Sequence, residues 1–239
     1  QELKQKVDQR FDLIPDASTE DLQPYQTLDG EGEGYLSTFT SPEIDWLVYA
    51  YIGNPKTGFC NMHLTINLGP QIDVPHLGMA LGTIPDIFMY FDYVPRRNVF
   101  VDLDYLDRYY QPVNDTFLDY REDDSFRPFT SRTLYMRQAQ SATSICYAVP
   151  PSEEVIEKIR GTAHEMLDRW LAFVDAAEEV PMAKRAALAE QDLRMRRQIC
   201  ERDPANVLGD KLFGPELTQR LVRALWGGDR VNPRAGGIE

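Results

Sequence analysis

Between Thr57 and Pro95 this 239-residue chain carries side chains whose types and spacing could move protons. At the two-residue period of a strand, Phe59, Asn61, His63, Thr65 and Asn67 share one face, and Cys60, Met62, Leu64, Ile66 and Leu68 share the other. The first face is mostly polar, with an imidazole at its middle. An imidazole titrates near neutrality and can give or take a proton, and the amides and hydroxyl beside it offer hydrogen bonds to a polar ligand. After the turn Leu68-Gly69-Pro70 the chain returns with His76, Gly78, Ala80 and Gly82 on one side and Leu77, Met79 and Leu81 on the other. The small residues leave space beside His63. The same pattern also fits a histidine that is solvated or hydrogen-bonded for structural reasons. Asp92 shares a strand face with Phe88 and Tyr90 and could equally be solvated at a strand end. Arg137 falls in a run read as a strand, where a guanidinium is costly to bury unless it meets a carboxylate, from the chain or from a ligand.

The elements that must position these residues follow from the same periodicities. Residues 1 to 14 set Leu3, Val7, Phe11 and Leu13 among charges and predict a short amphipathic helix ended by Pro15, and Ser18 to Gly34 reads as loop. Tyr35 to Thr40 and Ile44 to Ile52 read as strands. The turn chemistry from Gly53 to Gly58 makes a hairpin with the His63 strand, which would bring Tyr49 and Tyr51 near His63. Ile84 to Val94 is a further strand, Asp104 to Tyr110 a short helix and Asp115 to Asp124 an acidic connector. Arg132 to Arg137 and Ser141 to Val149 alternate and close the sheet. Ser152-Glu153-Glu154 caps a long helix in which Val155, Ile159, Ala163, Met166, Trp170 and Val174 recur at helical spacing. Pro181 starts a second helix to about Arg202, and Pro215 a third to Leu225. Beyond Gly227 the composition predicts a flexible tail over residues 227–239. Helix, then strands, then helices is an α+β order, which predicts one antiparallel sheet between helical layers, a single domain over residues 1–226.

A formal net charge of -13 argues against nucleic acid as the main partner. Cys60, Cys146 and Cys200 lie far apart, without the paired spacing of a metal site, and read as reduced thiols. No Gly-rich phosphate loop occurs, no run approaches the roughly 18 apolar residues of a membrane span, and Gln1-Glu2-Leu3-Lys4 does not read as a signal or transit peptide. Arg96 and Arg97 read as surface residues. The run Lys184, Arg185, Arg194, Arg196, Arg197 reads as a solvated helix face that could also meet an acidic partner.

In order along the chain, His63, Asp73-Val74-Pro75-His76-Leu77-Gly78, Asp92 ahead of Pro95, and Asp203-Pro204-Ala205 followed by Leu212-Phe213-Gly214-Pro215-Glu216-Leu217 resemble the ferredoxin-dependent bilin reductases. In that family a histidine strand, a D-x-P-x-x-G return, and a D-P-A then F-G-E ending recur in this order. Within the superfamily, Pro95-Arg96-Arg97, Asp104 to Tyr110, and Leu134 to Ala139 with Ser141-Ala142-Thr143 look more like red chlorophyll catabolite reductase, the likeness spanning about residues 33 to 226. The resemblance implies a three-layer α/β/α sandwich holding an open-chain tetrapyrrole, red chlorophyll catabolite or a bilin such as biliverdin, between the sheet and the C-terminal helices. It also implies electrons arriving one at a time from reduced ferredoxin, no bound metal or flavin, and protons from side chains. It makes His63 and Asp203 the catalytic pair and sets Tyr51, Asn61, Ala80, Asp92 and Arg137 at the substrate, Arg137 as a propionate anchor. A homodimer is left open, and the compartment implied is the cytoplasm of a bacterium or the plastid stroma of a plant or alga.

The sequence departs from the resemblance at Ala80, seventeen residues after His63. Bilin reductases carry an aspartate there and the chlorophyll catabolite enzymes a glutamate, and Tyr51 falls near the place of a further bilin reductase glutamate. Alanine cannot transfer a proton. Either another donor has taken over, or the protein binds a tetrapyrrole without turning it over, or the chain is an inactivated variant.

Overall fold

The computed structural model describes residues 1–230, so the tail expected over 227–239 lies outside the described residues from 231 onward. Nine strands among the described residues form one sheet: β1 Ile14–Pro15, β2 Tyr25–Gln26, β3 Glu33–Thr40, β4 Ile44–Asn54, β5 Phe59–Leu68, β6 His76–Ile84, β7 Asp86–Val94, β8 Arg127–Pro128 and β9 Ile145–Val149. Their order is β1-β3-β4-β5-β6-β7-β9-β8, with β2 also on β3, and every pairing is antiparallel. The helices are α1 Glu2–Arg10, α2 Leu103–Tyr109, α3 Asn114–Glu122, α4 Leu134–Ala139, α5 Glu153–Asp175, α6 Met182–Arg202, α7 Asn206–Phe213 and α8 Pro215–Trp226.

The apolar face read from β5 is dry from Leu64 onward, whereas Met62, nearer the hairpin, is exposed. Leu64, Ile66 and Leu68 join Leu77 and Met79 of β6 and Met89, Phe91 and Tyr93 of β7, and α5 covers them with Met166, Leu167 and Trp170. Fully burying each such side chain stabilises the fold by about 1.5–3 kcal/mol. Two polar groups of this layer are paired across it: Tyr93 donates to the carbonyl of Met166 at 2.6 Å and Trp170 Nε1 to that of Pro75 at 2.8 Å. Ser152 caps α5 as expected, its hydroxyl accepting from Val155 N at 3.2 Å.

The opposite face is covered by the C-terminal helices. Trp46, Val48, Ala50 and Leu36 pack under Leu221 and Ala224 of α8, and Trp46 Nε1 donates to the carbonyl of Ala224 at 2.8 Å. A buried charge cluster fixes α6. Arg96 Nη2 meets Asp192 Oδ2 at 2.6 Å, and the same guanidinium donates to the carbonyls of Gly69, Ile72 and Val74. His76 Nδ1 accepts from Leu68 N at 3.0 Å, and its Nε2 lies 3.4 Å from Asp192 Oδ1. Arg96 is therefore an interior residue, not a surface one. Arg196 of α6, read as part of a solvated face, is also buried, against Asp45 at 2.7 Å.

Three local expectations change. Residues 134–139 form α4, not a strand: Leu, Met, Arg, Gln and Ala are all strong helix formers, and Leu134 and Arg137 are exposed, so no sheet face claims them. The acidic connector contains α3, held by Tyr120, which packs on Phe126 and Tyr147. Helix α7 escaped notice because Gly209 interrupts it. A Cβ there would come within 2.9 Å of the Thr218 side chain, so glycine is what lets α7 and α8 approach.

The His76 cluster has a pH signature. Burial, only partly offset by Asp192, pushes the His76 pKa down to about 4. Asp192 is held down at about 2, because Arg96 and His76 outweigh the burial that opposes its ionisation. A histidine whose folded pKa lies below its unfolded value of about 6.5 gives stability that is present above 6.5 and lost as pH falls toward the folded pKa. Urea unfolding should therefore show stability falling by about 3 kcal/mol on this account between pH 7 and pH 4, with Asp192 adding a further loss below that. Stability that stays flat from pH 7 to 4.5 would contradict the buried neutral histidine.

Candidate active site

Register decides which side chains meet. In β5–β6, His63 stands opposite Ala80, Thr65 opposite Gly78 and Asn61 opposite Gly82. The rows continue into β7, with Tyr90 opposite Ala80 and Asp92 opposite Gly78. They begin in β4 with Ala50 opposite His63 and end in β9 with Cys146 opposite Tyr90. Paired residues of an antiparallel sheet project to the same face. Ala50, His63, Ala80, Tyr90 and Cys146 thus form one row across five strands, on the face that α6 to α8 cover. Ala80 is the low point of this row, a shallow trough between the larger His63 and Tyr90; the Tyr90 ring lies across Gly78 and the Asn61 amide lies against Gly82. A Cβ on Gly78 would sit 3.1 Å from the Tyr90 ring, so glycine lets that ring lie across the strand.

Asp203 caps the C-terminal end of α6, with Oδ1 accepting from Ala205 N at 2.9 Å. It lies close enough to His63 for its charge to act on the ring. Burial pushes the His63 pKa below its ordinary value, and the nearby Asp203 carboxylate works the other way. A neutral imidazole has one N–H to donate and one lone pair to accept with, and an anionic neighbour favours its protonated form. The pair can therefore hold a polar ligand and pass a proton to it. Asn61 is half-buried on the same face, one row away.

Asp92 is fully buried. It accepts from Ser141 N at 2.9 Å, from the Ser141 hydroxyl, and from the Tyr90 hydroxyl at 3.1 Å. Burial raises its pKa despite these donors, which favour the ionised form. The thiols of Cys146 and Cys200 are pushed up by burial to about 11 and about 12. Both stay protonated at neutral pH and are poor nucleophiles. Among the described residues no group of three or more His, Cys, Asp or Glu side chains is arranged to hold a metal ion.

Two candidates sit elsewhere. Tyr51 pairs with Met62, one residue out of phase with His63, so its side chain leaves on the opposite face and stacks on Tyr35 at 5.7 Å. Tyr49 is displaced for the same reason. Arg137 is exposed on α4, its guanidinium donating to the carbonyls of Ser131 at 2.8 Å and Arg132 at 3.2 Å. It is not a buried cation in a strand. Tyr90 and Ser141 were missed as functional candidates. Tyr90 was legible in principle, two residues before Asp92 and so on its face; Ser141 reaches Asp92 only through the path of the loop before β9.

The architecture is that of the bilin reductases. It matches a crystal structure of selenomethionine phytochromobilin synthase from tomato in complex with biliverdin with a TM-score of 0.85, over 99% of this chain and 83% of that one, at 18% identity. A sequence model of the red chlorophyll catabolite reductase family matches residues 1–226, and the chain belongs to that family. One curated relative, red chlorophyll catabolite reductase 1, chloroplastic, from Oryza sativa subsp. japonica, is 28% identical over 230 residues, covering 88% of this chain and 70% of the relative. No helix among the described residues is long and apolar enough to cross a membrane.

The chain has three histidines, so their titrations can be followed one by one. NMR should give His63 a midpoint below 6.5, and Asp203→Asn should lower it further by removing the anion that favours the protonated ring. A midpoint at or above 6.5 would show that the ring is not buried as described.

Proposed function

We propose that the protein reduces an open-chain tetrapyrrole, red chlorophyll catabolite or a bilin such as biliverdin, taking electrons one at a time from reduced ferredoxin and protons from its own side chains. The observation that carries this reading is the place of His63 beside Ala80 on the sheet face under the C-terminal helices, within reach of the charge of Asp203. Membership of the red chlorophyll catabolite reductase family and the biliverdin held by the tomato neighbour support it.

The chemistry suits the site. A linear tetrapyrrole is long and largely apolar, with pyrrole N–H groups, terminal carbonyls and propionates. The small side chain of Ala80 leaves a ring room between His63 and Tyr90, and His63, Asn61 and Thr65 offer hydrogen bonds along one edge. Reducing one double bond takes two electrons and two protons and calls for no nucleophile, in keeping with protonated thiols at Cys146 and Cys200. His63 and Asp203 are the catalytic pair of this proposal, and Arg137 would meet a propionate only at the solvent edge. The exposed Lys184, Arg194 and Arg197 of α6 give an acidic iron–sulfur protein a place to approach, with an attraction that salt weakens. The same proposal puts a plant or algal protein in the plastid stroma and a bacterial one in the cytoplasm.

Ala80 favours a second reading, a protein that binds the pigment without reducing it, because no carboxylate faces His63 from β6. An anaerobic assay with ferredoxin, its reductase and NADPH separates the two. Bleaching or a blue shift of biliverdin or red chlorophyll catabolite is expected. His63→Gln should keep pigment binding and lower kcat by about 10²-fold or more, the usual worth of a positioned acid. Binding without turnover, repaired by Ala80→Glu, would select the second reading. Failure to bind either pigment would contradict both.

A further inference from the structure

Ala80 removes a proton donor from the middle of the trough, and its neighbour across the strand pair is Tyr90. Directly paired residues have Cβ atoms roughly 4.5–5.5 Å apart, so the Tyr90 side chain starts one strand away from where a carboxylate on position 80 would start. Asp92, on the same face and diagonal to Ala80, accepts from the Tyr90 hydroxyl at 3.1 Å. It has no exposure of its own, whereas Tyr90 is half-buried. Ser141 holds both carboxylate oxygens, its hydroxyl on Oδ1 and its backbone N–H on Oδ2. A buried acid locked in place by a serine and opening onto the trough only through a phenol is costly to keep for packing alone.

We propose that Tyr90, recharged by Asp92, delivers the proton that a carboxylate at position 80 would deliver. This rests on the reading of the site as a tetrapyrrole reductase. While Asp92 is ionised, Tyr90 donates to it. Once Asp92 is protonated the same contact runs in reverse and frees the phenol O–H to point at the pigment. Burial, which raises the pKa of Asp92, favours that protonated state. The Tyr90 phenol is itself pushed well above its ordinary range by burial and by Asp92, so it gives up its proton only as it receives another.

The balance is as follows. Reduced ferredoxin gives up one electron, and the pigment that accepts it takes the O–H proton of Tyr90. The proton of Asp92 moves to the tyrosine oxygen in the same step, and the carboxylate left behind rests on Ser141 until solvent restores its proton. A second reduced ferredoxin supplies the second electron, and the His63–Asp203 pair supplies the second proton. One π bond is lost and two bonds to hydrogen form. The groups that act on Asp92 during this cycle are Tyr90 on its own strand and Ser141 and Ser144 from the loop before β9, while Cys146 and Tyr110, uncharged neighbours, are themselves pushed up by the Asp92 charge.

Tyr90→Phe keeps the ring over Gly78 and removes only the hydroxyl, and Asp92→Asn keeps the shape of the acid. In the anaerobic ferredoxin assay each should retain pigment binding and a wild-type thermal unfolding curve while kcat falls about 10²-fold or more. The wild-type rate should decline as pH rises through the Asp92 titration, and that limb should vanish in Asp92→Asn. Ala80→Asp added to Tyr90→Phe should restore much of the rate by bypassing the relay. Wild-type turnover with an unchanged rate in Tyr90→Phe, or with the same pH limb in Asp92→Asn, overturns the relay alone. Absence of turnover in the wild type overturns the reductase reading, and the relay with it.

Discussion

The structure depends on a buried ion pair. Arg96, in the segment after β7, and Asp192, at the middle of α6, meet under the helix with His76 beside them, and three backbone carbonyls take up the remaining guanidinium donors. Removing two charges from water costs several kcal/mol each, and such a pair is tolerable only when its other hydrogen bonds are also made. Losing one partner would leave the other charge uncompensated, so the pair penalises any position of α6 but one. With Asp192 fixed, the end of α6 is fixed three turns on, where the charge of Asp203 acts on His63. The contacts of Arg196 with Asp45 and of Trp46 with α8 hold the rest of the layer.

The two faces of the sheet then do different work. One is filled by Leu, Ile, Met and aromatic side chains under α5. The other carries glycine and alanine where a filled core would carry bulk, and places His63, Tyr90 and Asp92 around the gap. Burial disfavours charge of either sign, so it lowers the pKa of the imidazole and raises that of the carboxylic acid. Near neutrality both groups are drawn toward their uncharged forms. That combination suits an apolar pigment that must receive protons in step with electrons, since neither group has to be desolvated when the reaction begins.

Much of the fold was legible in the sequence, because β3 to β7 alternate cleanly and α5, α6 and α8 carry Ser or Pro at their starts. The face of His63 and the small residues beside it could be read from a period of two alone. The neighbour across the hairpin could not. Asn54 pairs with Phe59, so Ala50 meets His63 and Tyr51 falls on the far side; had the loop been one residue longer or shorter, the parity would have reversed. Arg137 misled because L-Y-M-R alternates like a strand although each of its residues also tolerates a helix, and only the lack of a sheet face to pack on decides between them. Arg96 looked like surface because a buried arginine is recognisable only with its partner, and Asp192 lies 96 residues away. Asp92 was a visible candidate, but its burial and its link to Tyr90 and Ser141 depend on a loop that no local pattern encodes.

The most direct test is a crystal structure of the protein with biliverdin or red chlorophyll catabolite bound under anaerobic conditions. The pigment should lie between the sheet and α6 to α8, with a ring over Ala80 and polar atoms within hydrogen-bond reach of His63 and Asp203. A pigment found instead in the outer groove between α6 and α8, beside Arg197 and Trp226, would contradict the account, because neither His63 nor Asp203 lines that groove.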